Sequence, residues 1–208
     1  LRIFKIIEKI KCFILDRPYI PEELKRKKTG PLLLHISDTP AEIFPFIERL
    51  IKEINPQYIV HTGDIVDNIK LETNDKLLES YKVNLRKIVR IIEENSNAKI
   101  YYAVGNHDHE ETLKRTIKTG YILEKGIINI EGNKIYMGHY FQEVESGTDY
   151  CLYGHSFEPS HFQQGNRICL NGVLSANIID LHSKKIYQIE YPFATNRLRR
   201  MEKGRITI

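Results

Sequence analysis

Tryptophan is absent from this chain of 208 residues, and cysteine is scarce, with three. Cys12, Cys151 and Cys169 are too few for a disulfide framework, and the odd count leaves at least one thiol unpaired. A reducing, cytoplasmic setting is the expectation. Long apolar runs are also missing. The longest stretch without Asp, Glu, Lys or Arg is Ile168 to Ile179, 12 residues, against the roughly 20 that a bilayer-spanning helix needs. Residues 1–15 do not read as a secretory signal, because Lys5, Glu8, Lys9 and Lys11 interrupt any apolar core. The chain opens on Leu1 rather than methionine, so its natural start is expected elsewhere. No Gly-rich phosphate loop of the Walker kind, internal repeat or low-complexity segment is present. At 41 % hydrophobic residues, the chain is too apolar for disorder and long enough to bury a core.

The formal net charge of +4 hides a division. Residues 1–28 carry +5 and residues 193–208 carry +4, which leaves −5 on the body between them. A mildly acidic body with two basic ends differs from a uniformly basic nucleic-acid binder. A boundary is placed after Lys25-Arg26-Lys27-Lys28, where Thr29-Gly30-Pro31 breaks the chain. The N-terminal extension repeats Ile3, Ile6, Ile7, Ile10, Phe13 and Ile14 at helical spacing with basic residues between them. A helix packed on the main domain is the expected form, and a membrane-surface helix is the alternative. The basic tail at 193–208 is expected to be a solvated terminus, the alternative being a grip on an acidic partner, a phosphate backbone or anionic lipid.

Between residues 29 and 192 the pattern is regular. Leu32–Ile36, Tyr58–Val60 and Ile100–Val104 read as buried strands. Helices are expected over Ile43–Ile54, with Pro45 in the first turn, over Leu77–Ile92 and over Glu110–Lys118. From Ile122 onward strands dominate: 127–130, 134–137, 150–153, 167–170, 178–181 and 185–190. Alternating strands and helices followed by a run of strands fit an α/β body with two stacked sheets and helices outside.

Five polar side chains stand where an expected strand ends: Asp38, Asp64, Asn106, His139 and His155. In α/β sheets ligands gather at the carboxyl ends of strands. Two carboxylates, an amide oxygen and two imidazoles make a mixed oxygen and nitrogen donor set suited to Mn, Fe, Ni or Zn. A glycine precedes Asp64, Asn106, His139 and His155, allowing sharp turns and close approach. His35, inside a buried strand, is expected to be structural; His61 and His182 carry no special claim.

In order, Ile36-Ser37-Asp38, Gly63-Asp64-Ile65-Val66-Asp67, Gly105-Asn106-His107-Asp108, Gly138-His139 and Gly154-His155 resemble the motifs of calcineurin-like metallophosphoesterases. The resemblance spans residues 32–190. It implies a four-layer αββα sandwich of two mixed sheets flanked by helices, with metal held at the strand ends. It also implies that Asp64 bridges two ions, that Asn106, His139 and His155 serve one of them, and that Asp38 serves the other. His107 resembles the catalytic histidine that protonates the leaving oxygen, and Asp67 the carboxylate that orients it.

Two departures follow. Where the family has D-x-H, this chain has Asp38-Thr39-Pro40; where it has G-H-x-H, the chain has Gly154-His155-Ser156-Phe157. Both lost histidines belong to the same ion, so one site is well formed and the second would be weak. His161 or Glu158 as a replacement is the less favoured reading, a surface position the preferred one. The expected function is metal-dependent hydrolysis of a small phosphomonoester or phosphodiester by a metal-carried hydroxide. The alternative is a catalytically weak or inactive binding module holding a protein partner, for which the retromer subunit of this fold is a precedent. Nucleic acid ranks third as a partner. Tyr101 and Tyr102 could form a stacking platform, but they lie in an expected buried strand.

Overall fold

The computed structural model describes residues 2–26, 30–71 and 73–199. Two sheets stack face to face. The first runs, in spatial order, β11 (Ile186–Ile189), β10 (Ala176–Asp180), β1 (Leu32–Ile36), β2 (Tyr58–His61), β3 (Lys99–Ala103) and β4 (Tyr121–Leu123). Strands β1 to β4 are parallel neighbours, and β10 and β11 add on antiparallel. The second sheet is β5 (Lys125–Ile130), β6 (Asn133–Gly138), β7 (Tyr150–Tyr153), β9 (Arg167–Asn171) and β8 (Phe162–Gln164). Its centre, β6, β7 and β9, is parallel. The short edge strands β4 and β8 escape the sequence pattern, because three residues give too little alternation to recognise.

Alternation within β1 explains the layering. Leu32, Leu34 and Ile36 face the helical side, where α3 (Phe44–Ile54) contributes Phe46, Ile47, Leu50 and Ile51 and α4 (Leu78–Glu94) contributes Tyr81, Leu85, Ile88 and Ile92. Leu33 faces the other way, into a core shared with Ile135, Met137, Tyr150 and Leu152 of the second sheet. A strand buried on both faces carries apolar residues at every position, which is why it reads as a continuous run. Tyr101 and Tyr102 are likewise buried, so they offer no stacking surface. Over the outer face of the second sheet, Tyr136, Cys151, Tyr153 and Cys169 pack beneath Phe141, Val144 and Phe162. Phe141 and Val144 come from the non-helical segment after β6, and Phe162 from the edge strand β8. All three cysteines are free thiols.

The terminal segments depart from expectation. Helix α1 (Arg2–Ile14) forms, but Ile6, Ile7, Ile10 and Ile14 remain exposed instead of packing on the body. Between it and the body come α2 (Glu22–Arg26) and the buried Ile20 and Leu24. Helix α5 (Glu110–Thr116) follows β3. At the other end, α6 (Thr195–Leu198) docks on the body, and Arg199 is fully buried. The expected solvated terminus therefore fails at its start, because Arg199 finds enough carbonyl partners inside to offset its desolvation. Residues 200–208 and the basic residues Lys27 and Lys28 lie outside the described residues. No helix among the described residues is long and apolar enough to cross a membrane.

Candidate metal centre

Parallel strands place their carboxyl ends on one edge. Asp38, Asp64 and Asn106 follow β1, β2 and β3, and His139 and His155 follow β6 and β7 across the interface between the sheets. Main-chain bonds then lace the loops together: Asp38 N–H donates to Gly63 O (3.1 Å), Thr39 N–H to Asp64 O (3.1 Å) and Gly154 N–H to His139 O (2.9 Å). Three of the five residues adopt left-handed backbone, with φ of 50° at Asp38, 52° at Asp64 and 69° at His155. Non-glycine residues rarely occupy that region, and such strain gathers at functional sites. Close approach also needs missing side chains. A Cβ on Gly154 would collide with Ser37 Oγ and Asp38 Oδ2, and one on Gly105 with the Asp64 carboxylate.

His139 lies at the middle of the cluster. Its Nδ1 faces the Thr62 carbonyl at 2.9 Å. A carbonyl can only accept, so that nitrogen carries the hydrogen and Nε2 keeps a lone pair. Around Nε2 stand Asn106 Oδ1 at 3.0 Å, His155 Nδ1 at 3.2 Å and Asp64 Oδ2 at 3.5 Å. Donor atoms bound at about 2.0–2.1 Å in a tetrahedron lie about 3.4 Å apart, so these separations have the size of a coordination polyhedron. An amide oxygen, a carboxylate oxygen and two ring nitrogens at these separations make the mixed donor set that a divalent transition metal takes. The residues thus fit a divalent ion. Asp38, Asp64 and His139 also bring donor atoms within 4.8 Å of one another, as do Asp64, Asp67 and His107.

The electrostatics agree. Asp38, Asp64 and Asp67 are all buried. Burial first, then the carboxylates of Asp38, Asp108 and Asp67, push the Asp64 carboxyl well above its usual value. Burial and Asp38 push Asp67 up to about 6, although Lys70 opposes the rise. Asp67 forms an ion pair with Lys70 Nζ through Oδ1, while its buried Oδ2 has no hydrogen-bond partner among the described residues. His107 N–H donates to Asp64 Oδ1 at 2.9 Å, and its ring Nε2 lies 3.9 Å from Asp64 Oδ2.

The comparisons with known proteins bear on this centre. The family model for calcineurin-like phosphoesterases matches residues 31–202. The chain belongs to that family. Membership implies a bound divalent metal. Among solved structures, an archaeal phosphodiesterase is 21 % identical, with 76 % of this chain and 99 % of that one covered and a TM-score of 0.53. The E. coli phosphoesterase Yfce is 18 % identical, with 77 % and 98 % covered and the same TM-score of 0.53. These two likenesses establish the phosphoesterase fold. No curated protein sequence matches the chain.

Several side chains that serve this phosphoesterase site were not singled out by sequence. Asp108, the last residue of the G-N-H-D motif, clamps the loops: Oδ2 accepts from Asp64 N (2.8 Å) and Gly105 N (2.9 Å), and Oδ1 from Ile65 N (3.0 Å) and Tyr81 OH (2.9 Å). Arg199 clamps the first loop from below. Its Nε donates to Asp38 O at 2.7 Å, and its terminal nitrogens donate to Ser37 O (3.2 Å), Val173 O (2.6 Å) and Asn196 Oδ1 (3.1 Å). The guanidinium also stacks over the Tyr191 ring, 4.6 Å from its centroid. Ser37 Oγ donates to Asp38 Oδ2 (2.5 Å), which also accepts His155 N–H (3.1 Å). The Tyr140 ring packs on both His139 and His155. Ser37 and Asp108 lie inside the motifs and Tyr140 directly after one; Arg199 had no local signal.

The other histidines lie apart from the donors. His35 spans Thr62 Oγ1 and Asn177 Nδ2, and burial pushes it down to about 3. His61 Nε2 faces Thr39 Oγ1 at 3.0 Å. His161 Nδ1 accepts from Asn171 N (3.0 Å), and Glu158 Oε2 from Ser160 N (3.0 Å). Neither moves into the place of the missing histidines.

Proposed function

We propose that this phosphoesterase hydrolyses a small phosphomonoester or phosphodiester. Asp64, Asn106, His139 and His155 would hold one divalent transition metal, Mn, Fe, Ni or Zn. Asp38 and Asp64 would form a weaker second position. The observation that carries the reading is the group of oxygen and nitrogen donor atoms gathered around His139 Nε2. When bound, such an ion is a Lewis acid that acidifies water and draws charge from phosphoryl oxygens.

The chain's own residues supply the rest. Thr62 O fixes the His139 tautomer, and Asp108 and Arg199 hold the two aspartate loops in their left-handed turns. His107, with a side chain 13 % exposed at the cleft, is the group to protonate the departing ester oxygen. Its backbone N–H on Asp64 ties the acid to the metal-binding carboxylate. Asp67, with donor atoms within 4.8 Å of those of His107, is placed to orient the imidazole. Lys70 beside it adds positive charge for an anionic substrate. No large insertion separates the motifs, which suits an open groove.

Turnover of bis(p-nitrophenyl) phosphate with Mn tests the reading. Metal-dependent release of nitrophenol, lost in His107→Ala, supports it. A binding module is the second reading, favoured by Pro40 and Phe157 standing where histidines are expected. No turnover with Mn, Fe, Ni or Zn would leave that reading alone.

A further inference from the structure

Helix α1 has a face that the body does not cover. Ile6, Ile7, Ile10 and Ile14 share one side at helical spacing and are 44 to 71 % exposed. Leu15, next in the chain, is 57 % exposed. Ile6 and Ile10, at one border of the stripe, also line a groove of about 400 Å³ between the helix and the body, with Phe46, Ile189 and Tyr191 opposite, while Ile7 and Ile14 lie outside it. One exposed ion pair, Lys9 Nζ to Glu190 Oε1 at 2.8 Å, spans it, and exposed pairs contribute little. Phe193, beside the groove residue Pro192, is 83 % exposed.

Charge indicates what covers this face. At 100° per residue Lys9 falls on one border of the isoleucine stripe and Lys11 on the other, the placement that lets long cationic side chains reach headgroups while the stripe sinks. Residues 1–28 carry +5 and the body −5, so an anionic surface would draw the helix in and turn the body outward. A second copy is a poor fit. A helix of 13 residues is about 20 Å long, and a stripe about 10 Å wide gives about 200 Å² on each copy. The total of about 400 Å² falls short of the roughly 1,000 Å² a stable interface needs.

We infer that α1 is an interfacial anchor that seats this protein on anionic lipid bilayers, with Ile6, Ile7, Ile10 and Ile14 in the acyl boundary and the flanking lysines at the headgroups. The inference is independent of the proposed hydrolysis. The test is sedimentation of the full chain with vesicles of phosphatidylcholine alone or with roughly 30 % phosphatidylglycerol. Binding should be at least about tenfold tighter to the anionic vesicles and should weaken in about 0.5 M salt. The double variant Ile10→Glu, Ile14→Glu should lose it while keeping its hydrolytic activity and circular dichroism. Because the chain has no tryptophan, Ile10→Trp adds a single reporter, whose emission should shift to the blue on binding. Failure to bind anionic vesicles at low salt overturns the inference, and so does binding unchanged in the double variant. A dimer abolished by that variant, without vesicle binding, would assign the face to a second copy.

Discussion

Asp64→Asn should change the sign of its effect on stability when metal is added. Donor atoms of Asp64 and Asp38 lie within 4.8 Å of each other. Two charges at that separation repel by about 3.5 kcal/mol at an effective dielectric constant of about 20. The metal-free fold relieves part of this by holding a proton, as the raised Asp64 carboxyl indicates. Asparagine keeps an oxygen to accept from His107 N–H and removes the charge. Metal-free Asp64→Asn should therefore be more stable than the wild type at pH 7.5, by about 1–3 kcal/mol. Saturating Mn reverses the order. At a hundred times its dissociation constant the ion stabilises the wild type by about 2.7 kcal/mol, or about 5–10 °C in melting temperature for a domain of this size. The variant, lacking a charged donor, should gain little.

The pH dependence has a definite sign. A carboxyl raised in the folded state gives stability that is present below its unfolded value and lost as pH rises through its folded one. Asp67 goes from 3.8 to about 6, equivalent to about 3 kcal/mol. The metal-free protein should thus lose stability between about pH 4 and 6. With metal the trend inverts, since protons compete for the same donors. Scanning calorimetry with chelator or Mn, at pH 5 and 7.5, reads all four corners. A metal-free Asp64→Asn less stable than wild type, together with no shift by Mn, would refute the electrostatic argument.

Two further substitutions separate chemistry from architecture. His107→Ala should lower kcat by about 10²–10⁴ while leaving the Mn dissociation constant within about threefold, as titration calorimetry would record; a large loss of affinity would make His107 a ligand. Arg199→Met strips donors from the buried carbonyls of Ser37, Asp38 and Val173. It should cost about 3–5 kcal/mol in denaturant unfolding and weaken metal binding through the Asp38 loop; stability within 1 kcal/mol of wild type would show that water replaces the clamp.

Sequence made the centre legible because each of its parts is local. An acidic, amide or imidazole residue after a short apolar run marks a strand end, four of the five with a glycine before it, and the order of those five places carries the resemblance. The core of β1 was legible for the same reason, since burial on both faces leaves no polar position. What sequence could not show is long-range. Arg199 reaches Ser37 and Asp38 from more than 160 residues away, and in a run of arginines nothing distinguishes the one that enters the core. The exposed stripe of α1 failed for a related reason. Amphipathic spacing says that a helix has an apolar side, but only the packed body shows whether that side is covered.

The asymmetry of the centre sets its expected rate. Pro40 and Phe157 replace two histidines that the family resemblance assigns to one ion, and His161 and Glu158 are engaged elsewhere. Near that position the structure provides the carboxylates of Asp38 and Asp64, with the single charge of Lys70 bound to Asp67. Removing one group that stabilises a transition state raises the barrier by about 2.7–4 kcal/mol, or 100- to 1,000-fold in rate. Histidine can adopt the backbone found at Pro40, φ −68° and ψ 150°, which lies in the broad extended region. The double variant Pro40→His, Phe157→His should therefore bind two Mn ions per chain where the wild type binds one tightly, and turn over the aryl diester up to about 100- to 1,000-fold faster. Metal counting on the purified proteins decides it: two ions in the wild type, or one in the double variant, would show that these positions do not govern the second ion.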